Sequence, residues 1–375
     1  MPGPPPKVTD NRAVVLRLWQ SCDRAVFGLS VGRRFAQLDD VRNGQITETP
    51  RLNSAKLSIV LLLATATAFS SLAQTPAVSA GGGAGLARPA TQAQLQALLQ
   101  AAMNGQSVMF DPTTAVTVSS TMTILVPDNP GNIFGNGLKI RSAINNGSDV
   151  LQFVGNAKAN SRNFIIQGIS IYGGGYGGQA SGNCLVINAP HNKGSLYRVM
   201  LRDIYADFCG IHGVKIVGDF FESTLDNIES ENNSGDGLFI DHGSDGGIIS
   251  NLMIRSPNLS RNKGYGFHAA RANSIDISQG SFINNGKGGL LGEHGIRTVD
   301  SVNCENSGLV CIDIPTSDYM TRLVGNNASS DGKTAVTTPM RYTYRYNGIP
   351  ANLIQSGNYF TYYGSGTNNT AVRAP

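Results

Sequence analysis

Much that would mark a common functional class is missing from this chain of 375 residues. Net charge is the first absence. The formal excess is +4, but residues 1–73 hold 9 Lys+Arg against 5 Asp+Glu, which leaves 20 of each in the remainder. A balanced chain has no general attraction for nucleic acid or an anionic membrane, so any recognition of an acidic ligand must be local. No apolar run reaches the roughly 17–25 residues of a membrane span. The five cysteines include no CxxC spacing, which argues against a zinc site. Leu-dense units and a 3.6-residue apolar period are absent between residues 207 and 314, which excludes leucine-rich and helical repeats there.

What fills that stretch is a repeat. On a common frame it gives DFCGIHGVKI (207–216), ENNSGDGLFI (231–240), LSRNKGYGFHA (259–269), SFINNGKGGLLG (281–292) and CENSGLVCIDI (304–314). Each copy is a polar turn with Asn or Gly where the backbone needs a left-handed residue, then an apolar strand alternating with period two. With Gly213, Gly237, Gly266, Gly289 and Leu309 as anchors, the steps are 24, 29, 23 and 20 residues, the spacing of a solenoid. Val, Ile, Gly, Asn and Ser dominate, and paired asparagines recur at Asn232-Asn233, Asn284-Asn285 and Asn326-Asn327. These are coils of a parallel β-helix, in which asparagines at equivalent turns can stack into amide ladders. One elongated domain therefore accounts for the chain, with no second core required.

In chain order, residues 1–50 show no clear period and are assigned no fold. A basic flank (Arg51, Lys56), the 13-residue run LSIVLLLATATAF (57–69) and Ser-Leu-Ala before Gln74 have the layout of a secretory signal over 51–73, cleaved after Ala73. That layout predicts a secreted protein with no membrane span in its mature form, and places the true start near residue 51. Residues 74–89 read as a flexible linker. Thr91 is a natural N-cap for an amphipathic helix, TQAQLQALLQAAMNG, ending at Asn104-Gly105, which can cover the open end of a solenoid. Strand-like SVMF, TTAVTVSSTMTILVP and IFGNGLKI follow.

This order of helix, strand ending in Phe-Asp-Pro, strand, Gly-Asn-Gly-Leu-Lys-Ile, then Asn- and Gly-punctuated coils resembles the pectate-lyase-like right-handed parallel β-helix superfamily over residues 90–330. The resemblance implies an all-β right-handed solenoid with an N-terminal capping α-helix. It implies no single activity, because the superfamily includes lyases, hydrolases, epimerases and tailspikes. The polygalacturonase signature (Asn-Thr-Asp, an Asp pair, Gly-His-Gly, Arg-Ile-Lys) survives only as fragments such as Ile211-His212-Gly213, so no catalytic residue is carried over. The Tyr-rich segment 331–375 is expected to cover the far end.

Cys184, Cys209, Cys304 and Cys311 suit disulfides in an exported protein, and local pairing is the simplest of three connectivities. Period-two alternation predicts inward columns Val214, Leu238, Phe267, Leu290, Val310 and Ile216, Ile240, Ala269, Gly292, Ile312. Outward columns then read Lys215, Phe239, His268, Leu291, Cys311 and Val217, Asp241, Ala270, Glu293, Asp313. Asp241-His242 and Glu293-His294 become matched pairs two coils apart, with His268 and Arg271 between. These six residues are the candidate catalytic set. Lys215, Lys263, Tyr172 and Tyr176 are candidate substrate-binding residues, the tyrosines lying in the YGGGYGG stretch (172–178).

Between Lys215 and Arg255 there are eight acids and no Lys or Arg, whereas 246–275 has no acid but four cations. A lyase acting on a uronate needs this juxtaposition: cations or bound Ca²⁺ to acidify the C5 proton, and a base to remove it. The bland alternative is that opposite charges simply pair across coils. The expectation is a secreted monomer that cleaves an acidic polysaccharide by β-elimination. An inverting hydrolase with Asp241 and Glu293 as acid and base is second, and a non-catalytic glycan-binding protein third.

Overall fold

The computed structural model describes residues 85–156, 160–174, 181–307, 310–314, 321–330, 338–342 and 354–362. The expected signal segment, most of the linker, Tyr176 and Leu309 lie outside them.

The described strands form a nine-stranded sheet and an eighteen-stranded sheet, and every pairing between them and their neighbours is parallel to the next coil. The larger sheet supplies two faces because its long strands bend. Thr224–Glu231 pairs with Met253–Arg255 through its first three residues and with Asn258–Ser260 through its last three. Asn227, at φ 53°, makes the bend between them, a left-handed position that Asn tolerates. Three faces per coil, connected by right-handed crossovers, make a right-handed parallel β-helix. Phe110, Phe153, Phe164, Phe220, Phe267 and Phe282 are fully buried inside it.

Helix Gln92–Met103 caps the N-terminal end, with Thr91 Oγ1 accepting from the Gln94 N–H. Leu95, Leu99 and Met103 turn inward. On the neighbouring stripe, Gln92, Gln96 and Gln100 recur every four residues and so share one side of the helix. They take the hydrogen bonds a missing strand would have made. Gln92 receives the Ser119 N–H and donates to the Ser120 carbonyl, Gln96 donates to Thr123, and Gln100 both receives from and donates to Leu125. Side-chain amides thus satisfy an edge that would otherwise template aggregation.

The anchor glycines have a packing reason. A Cβ on Gly213, Gly237 or Gly266 would meet the side-chain amide of Asn233, Asn262 or Asn285 at 2.8, 2.8 and 2.9 Å. Those three asparagines form the expected ladder: the Asn233 amide donates to Asn262 Oδ1 at 2.8 Å and the Asn262 amide to Asn285 Oδ1 at 3.0 Å. It ends on Ser307, whose hydroxyl accepts the Asn285 N–H. Asn326 does not join; it accepts the Val302 N–H and pairs with Asn358 at another corner.

The last of the five expected copies departs from the expected register by two residues. Leu290 pairs with Ile312 rather than Val310, and Leu291 with Asp313 rather than Cys311. Cys311 therefore falls beside the Gly289 position and turns into the core, where it bonds Cys304; Cys184 bonds Cys209 in the same local manner. Strands Thr338–Tyr342, Ile354–Ser356 and Tyr359–Tyr362 pair with the preceding coil and continue the sheets into the segment expected to act as a cover.

Candidate functional site

The outer side of the nine-stranded sheet presents Lys215, Phe239, His268 and Leu291 in register on four successive strands, as alternation predicts. Around them the turns contribute His212 and Asp236. Asp236 is 5% exposed. Its Oδ2 accepts from His268 Nδ1 at 3.0 Å, and its Oδ1 accepts the Tyr265 N–H at 2.7 Å. Burial opposes its ionisation, but those two hydrogen bonds and the neighbouring imidazoles outweigh it and hold the carboxyl below its usual range.

The two histidines beside Asp236 are not equivalent. His212 Nδ1 accepts the Asp236 backbone N–H at 3.0 Å, so that nitrogen carries no proton, and its 3.5 Å approach to Asp236 Oδ2 is not a salt bridge. Burial pushes His212 down to about 4, with Asp236 opposing and Lys215 and Lys287 assisting. Its ring stacks on Phe239 at 4.5 Å and 5°, and Phe239 meets His268 edge-on at 5.1 Å. His268 instead must donate from Nδ1, because its partner there is a carboxylate. Its Nε2 is shielded from solvent, has no hydrogen-bond partner among the described residues, and faces Glu293 Oε1 at 3.5 Å. The Glu293 side chain is 45% exposed. Asp236, His268 and Glu293 thus run in a line from the buried turn to the surface.

A β-bulge re-aims the next group. The register shifts after Ile240, so Asp241 lies opposite Arg271 rather than Ala270. Arg271 then grips both Asp241 oxygens, from Nε at 2.7 Å and Nη2 at 2.9 Å. The pairing raises the guanidinium above its ordinary value and, against the cost of burial, lowers the Asp241 carboxyl. Arg271 also feels the Glu293 charge. With His242 and His294 it lines an open cleft of about 390 Å³ walled by Gly246, Gly247 and Ile248. The His242 Nδ1 is buried without a hydrogen-bond partner among the described residues. Asp219 fixes that wall, accepting the Ile248 N–H at 2.8 Å while holding His191 Nδ1 at 3.0 Å and the Ser195 hydroxyl at 3.1 Å.

The six expected catalytic residues therefore form one contiguous patch, with Lys215 at its edge, 5.8 Å from the Phe239 ring centre. Lys263 lines a different cleft, with Arg261 and Asn284. Tyr172 packs on Tyr205, 5.4 Å between ring centres, on the larger sheet and away from the patch. Asp236 is the member that strand alternation misses, because it sits in a turn where Asp ordinarily caps. The signal was Gly264 in the next turn, where a Cβ would strike Asp236 Oδ1 at 2.1 Å. Among the described residues, no three His, Cys, Asp or Glu side chains gather as a metal would require.

No protein-family model matches the chain, and no curated protein is similar to it in sequence. Among solved structures it is similar to the A-module of the Azotobacter vinelandii mannuronan C-5 epimerase AlgE6, at 14% identity over 69% of this chain and 86% of that one, with a TM-score of 0.38. The A-module of AlgE4 from the same organism shares 14% identity over 76% and 96%, with a TM-score of 0.33. The Agl-KA catalytic domain shares 12% over 75% and 70%, with a TM-score of 0.33. Such architecture hosts many activities, so function rests on this chain's own residues.

Proposed function

We propose that this is a carbohydrate-active enzyme of an exported compartment that removes the C5 proton of a uronate within an acidic polysaccharide, leading to β-elimination. The observation that carries the reading is the Asp236–His268–Glu293 line, a buried carboxylate behind an imidazole behind an exposed carboxylate. Glu293 is the group that reaches the substrate. Its carboxylate takes the C5 proton and shares it with His268 Nε2, where imidazolium is stabilised between two carboxylates. The electron pair left at C5 forms the C4=C5 double bond, the C4–O bond breaks, and the departing oxygen takes a proton from solvent. Arg271, clamped by Asp241, faces the sugar carboxylate and stabilises the charge that builds as the proton leaves.

The clamp also weighs against two other roles. An arginine whose charge is reinforced by a carboxylate is a poor base, which favours the histidine-backed glutamate. An inverting hydrolase needs one carboxyl kept protonated near neutral pH, and the Arg271 clamp, which lowers Asp241, takes Asp241 out of that role. Glu229, a carboxyl raised by burial and by Glu231 and Asp207, stands on the larger sheet.

Screening galacturonate, mannuronate and guluronate polymers for the ultraviolet absorbance of the unsaturated product, with a reducing-end assay alongside, tests the reading. Absorbance that disappears in Glu293→Gln is the expected result. Reducing ends alone would point to hydrolysis, and silence on every polymer to a glycan-binding protein.

A further inference from the structure

We infer that a slot beside the cleft, bounded by Phe221, Ile248, Ser250 and Asn273, takes an uncharged sugar ring, so that the favoured substrate is a polymer in which a neutral sugar adjoins the uronate. The inference rests on the reading of the cleft as the uronate site. In the strands of the larger sheet that follow the turns beside the cleft, parallel register stacks Arg162, Tyr197, Phe221, Ser250 and Asn273 on successive coils. Arg162 lies over the Tyr197 ring, 5.0 Å from its centre. Tyr197 and Phe221 stack at 4.7 Å and 20°. That distance is the spacing of adjacent strands, so the ring faces turn toward the neighbouring coils. Arginine thus closes one end of the ladder. Ser250 is too short to close the other.

The open face of Phe221 looks over Ser250 toward Asn273, two strand spacings or about 9.6 Å away. A pyranose ring at contact distance, about 4 Å from the phenyl carbons, fills that space with its C–H face on Phe221 and its hydroxyls within reach of Ser250 and Asn273. Among the described residues no hydrogen bond engages the Ser250 hydroxyl or the Asn273 side-chain amide, so both can serve a sugar. Ile248, 44% exposed, adds apolar surface two residues before Ser250, and with Asn273 it also lines the cleft that holds Arg271. Slot and cleft are therefore continuous, and neighbouring rings of one chain can occupy both. The four side chains of the slot carry no charge. At the adjoining corner Arg198 and Glu222 neutralise each other in a 2.8 Å pair, and Asn251 follows. These surroundings give no compensation for stripping water from a second carboxylate. A uronate homopolymer still enters the cleft, with a weaker hold beyond it.

The test is calorimetric binding of two sets of tetrasaccharides to the full chain: alternating glucuronate–glucose and galacturonate–rhamnose, and homotetramers of galacturonate, mannuronate and guluronate. Wild type should hold one alternating series about tenfold more tightly than any homotetramer, the size of an added aromatic contact. Phe221→Ala should bring that series down to the homotetramer level. Because that change also removes half-buried packing, Ser250→Tyr is the deciding variant. It extends the aromatic ladder and fills the slot, so it should melt no lower than wild type and still lose the preference. A ladder that is only structural would gain stability and leave binding alone. No preference in wild type, a preference that survives Ser250→Tyr, or equal losses for both sets in that variant would overturn the inference. Scoring unsaturated product from both sets, with Glu293→Gln alongside, keeps the two readings apart. Product that Glu293→Gln abolishes, from chains bound without preference, leaves the catalytic reading standing and removes the slot. Preference without product does the reverse.

Discussion

Two faces of this solenoid use charge in opposite ways. On the larger sheet, acids and bases pair one to one between adjacent coils: Arg198 with Glu222, Arg202 with Asp226, and Arg297 with Asp276. The arginines are exposed and their acids partly so, and repetition alone generates the pairs, since any outward residue meets its counterpart one coil along. On the nine-stranded sheet, Asp236 is buried and serves two histidines at once, one neutral and one donating, and the line continues outward to Glu293. A repeat makes ladders cheaply. The candidate site lies where a turn residue, Asp236, breaks the one-to-one rule and a bulge sets Arg271 opposite Asp241.

The largest effect that would sharpen this contrast is on turnover. Asp236→Asn should lower activity on the responsive polyuronate by about a thousandfold, because the imidazole loses the carboxylate that orients and stabilises it. Steady-state rates beside Arg202→Ala, expected near wild type, check it; similar losses in both would erase the distinction between the faces. Next comes the structural ladder. Asn262→Ala strands the Asn233 N–H and amide and the Ser230 carbonyl inside the corner, costing about 2–4 kcal/mol of stability, read as a lowered urea midpoint.

A third effect depends on pH. His212 is lowered in the folded protein to about 4 from 6.5, so the unfolded chain binds a proton first as the solution is acidified. Stability contributed by the neutral ring is therefore complete above pH 6.5 and is lost between about 6.5 and 4, on the order of 2–3 kcal/mol. Asp236, also lowered, adds a further loss below its ordinary value of 3.8. Denaturation midpoints across that range should fall for wild type and flatten between 6.5 and 4 for His212→Phe. The smallest effect belongs to the ladder face: Arg198→Ala, removing a pair that is 60% and 47% exposed, should shift stability by no more than about 0.5 kcal/mol.

Much of this was legible in the sequence. Glycine anchors at 213, 237, 266 and 289, strand alternation, and the capped helix follow from backbone physics that acts locally, and they placed His268, Arg271 and Glu293 on one outer face. Three things were not legible. The bulge after Ile240 adds a residue that a period-two count cannot see, and so moved Arg271 onto Asp241. The strand Val310–Ile314 meets its neighbour two residues out of the expected register, a shift that keeps every residue on its face and so leaves no trace in the alternation. Asp236 sits in a turn, where a capping Asp and a functional one are written with the same letter.

The measurement closest to the central claim is deuterium incorporation at C5 of a uronate polymer incubated in heavy water. It detects proton removal whether or not the chain is then cleaved. Wild type should exchange or eliminate at C5, while Glu293→Gln and His268→Gln should do neither and yet melt within a few degrees of wild type. Exchange at the wild-type rate in His268→Gln, or none by wild type on any polyuronate, would contradict the account.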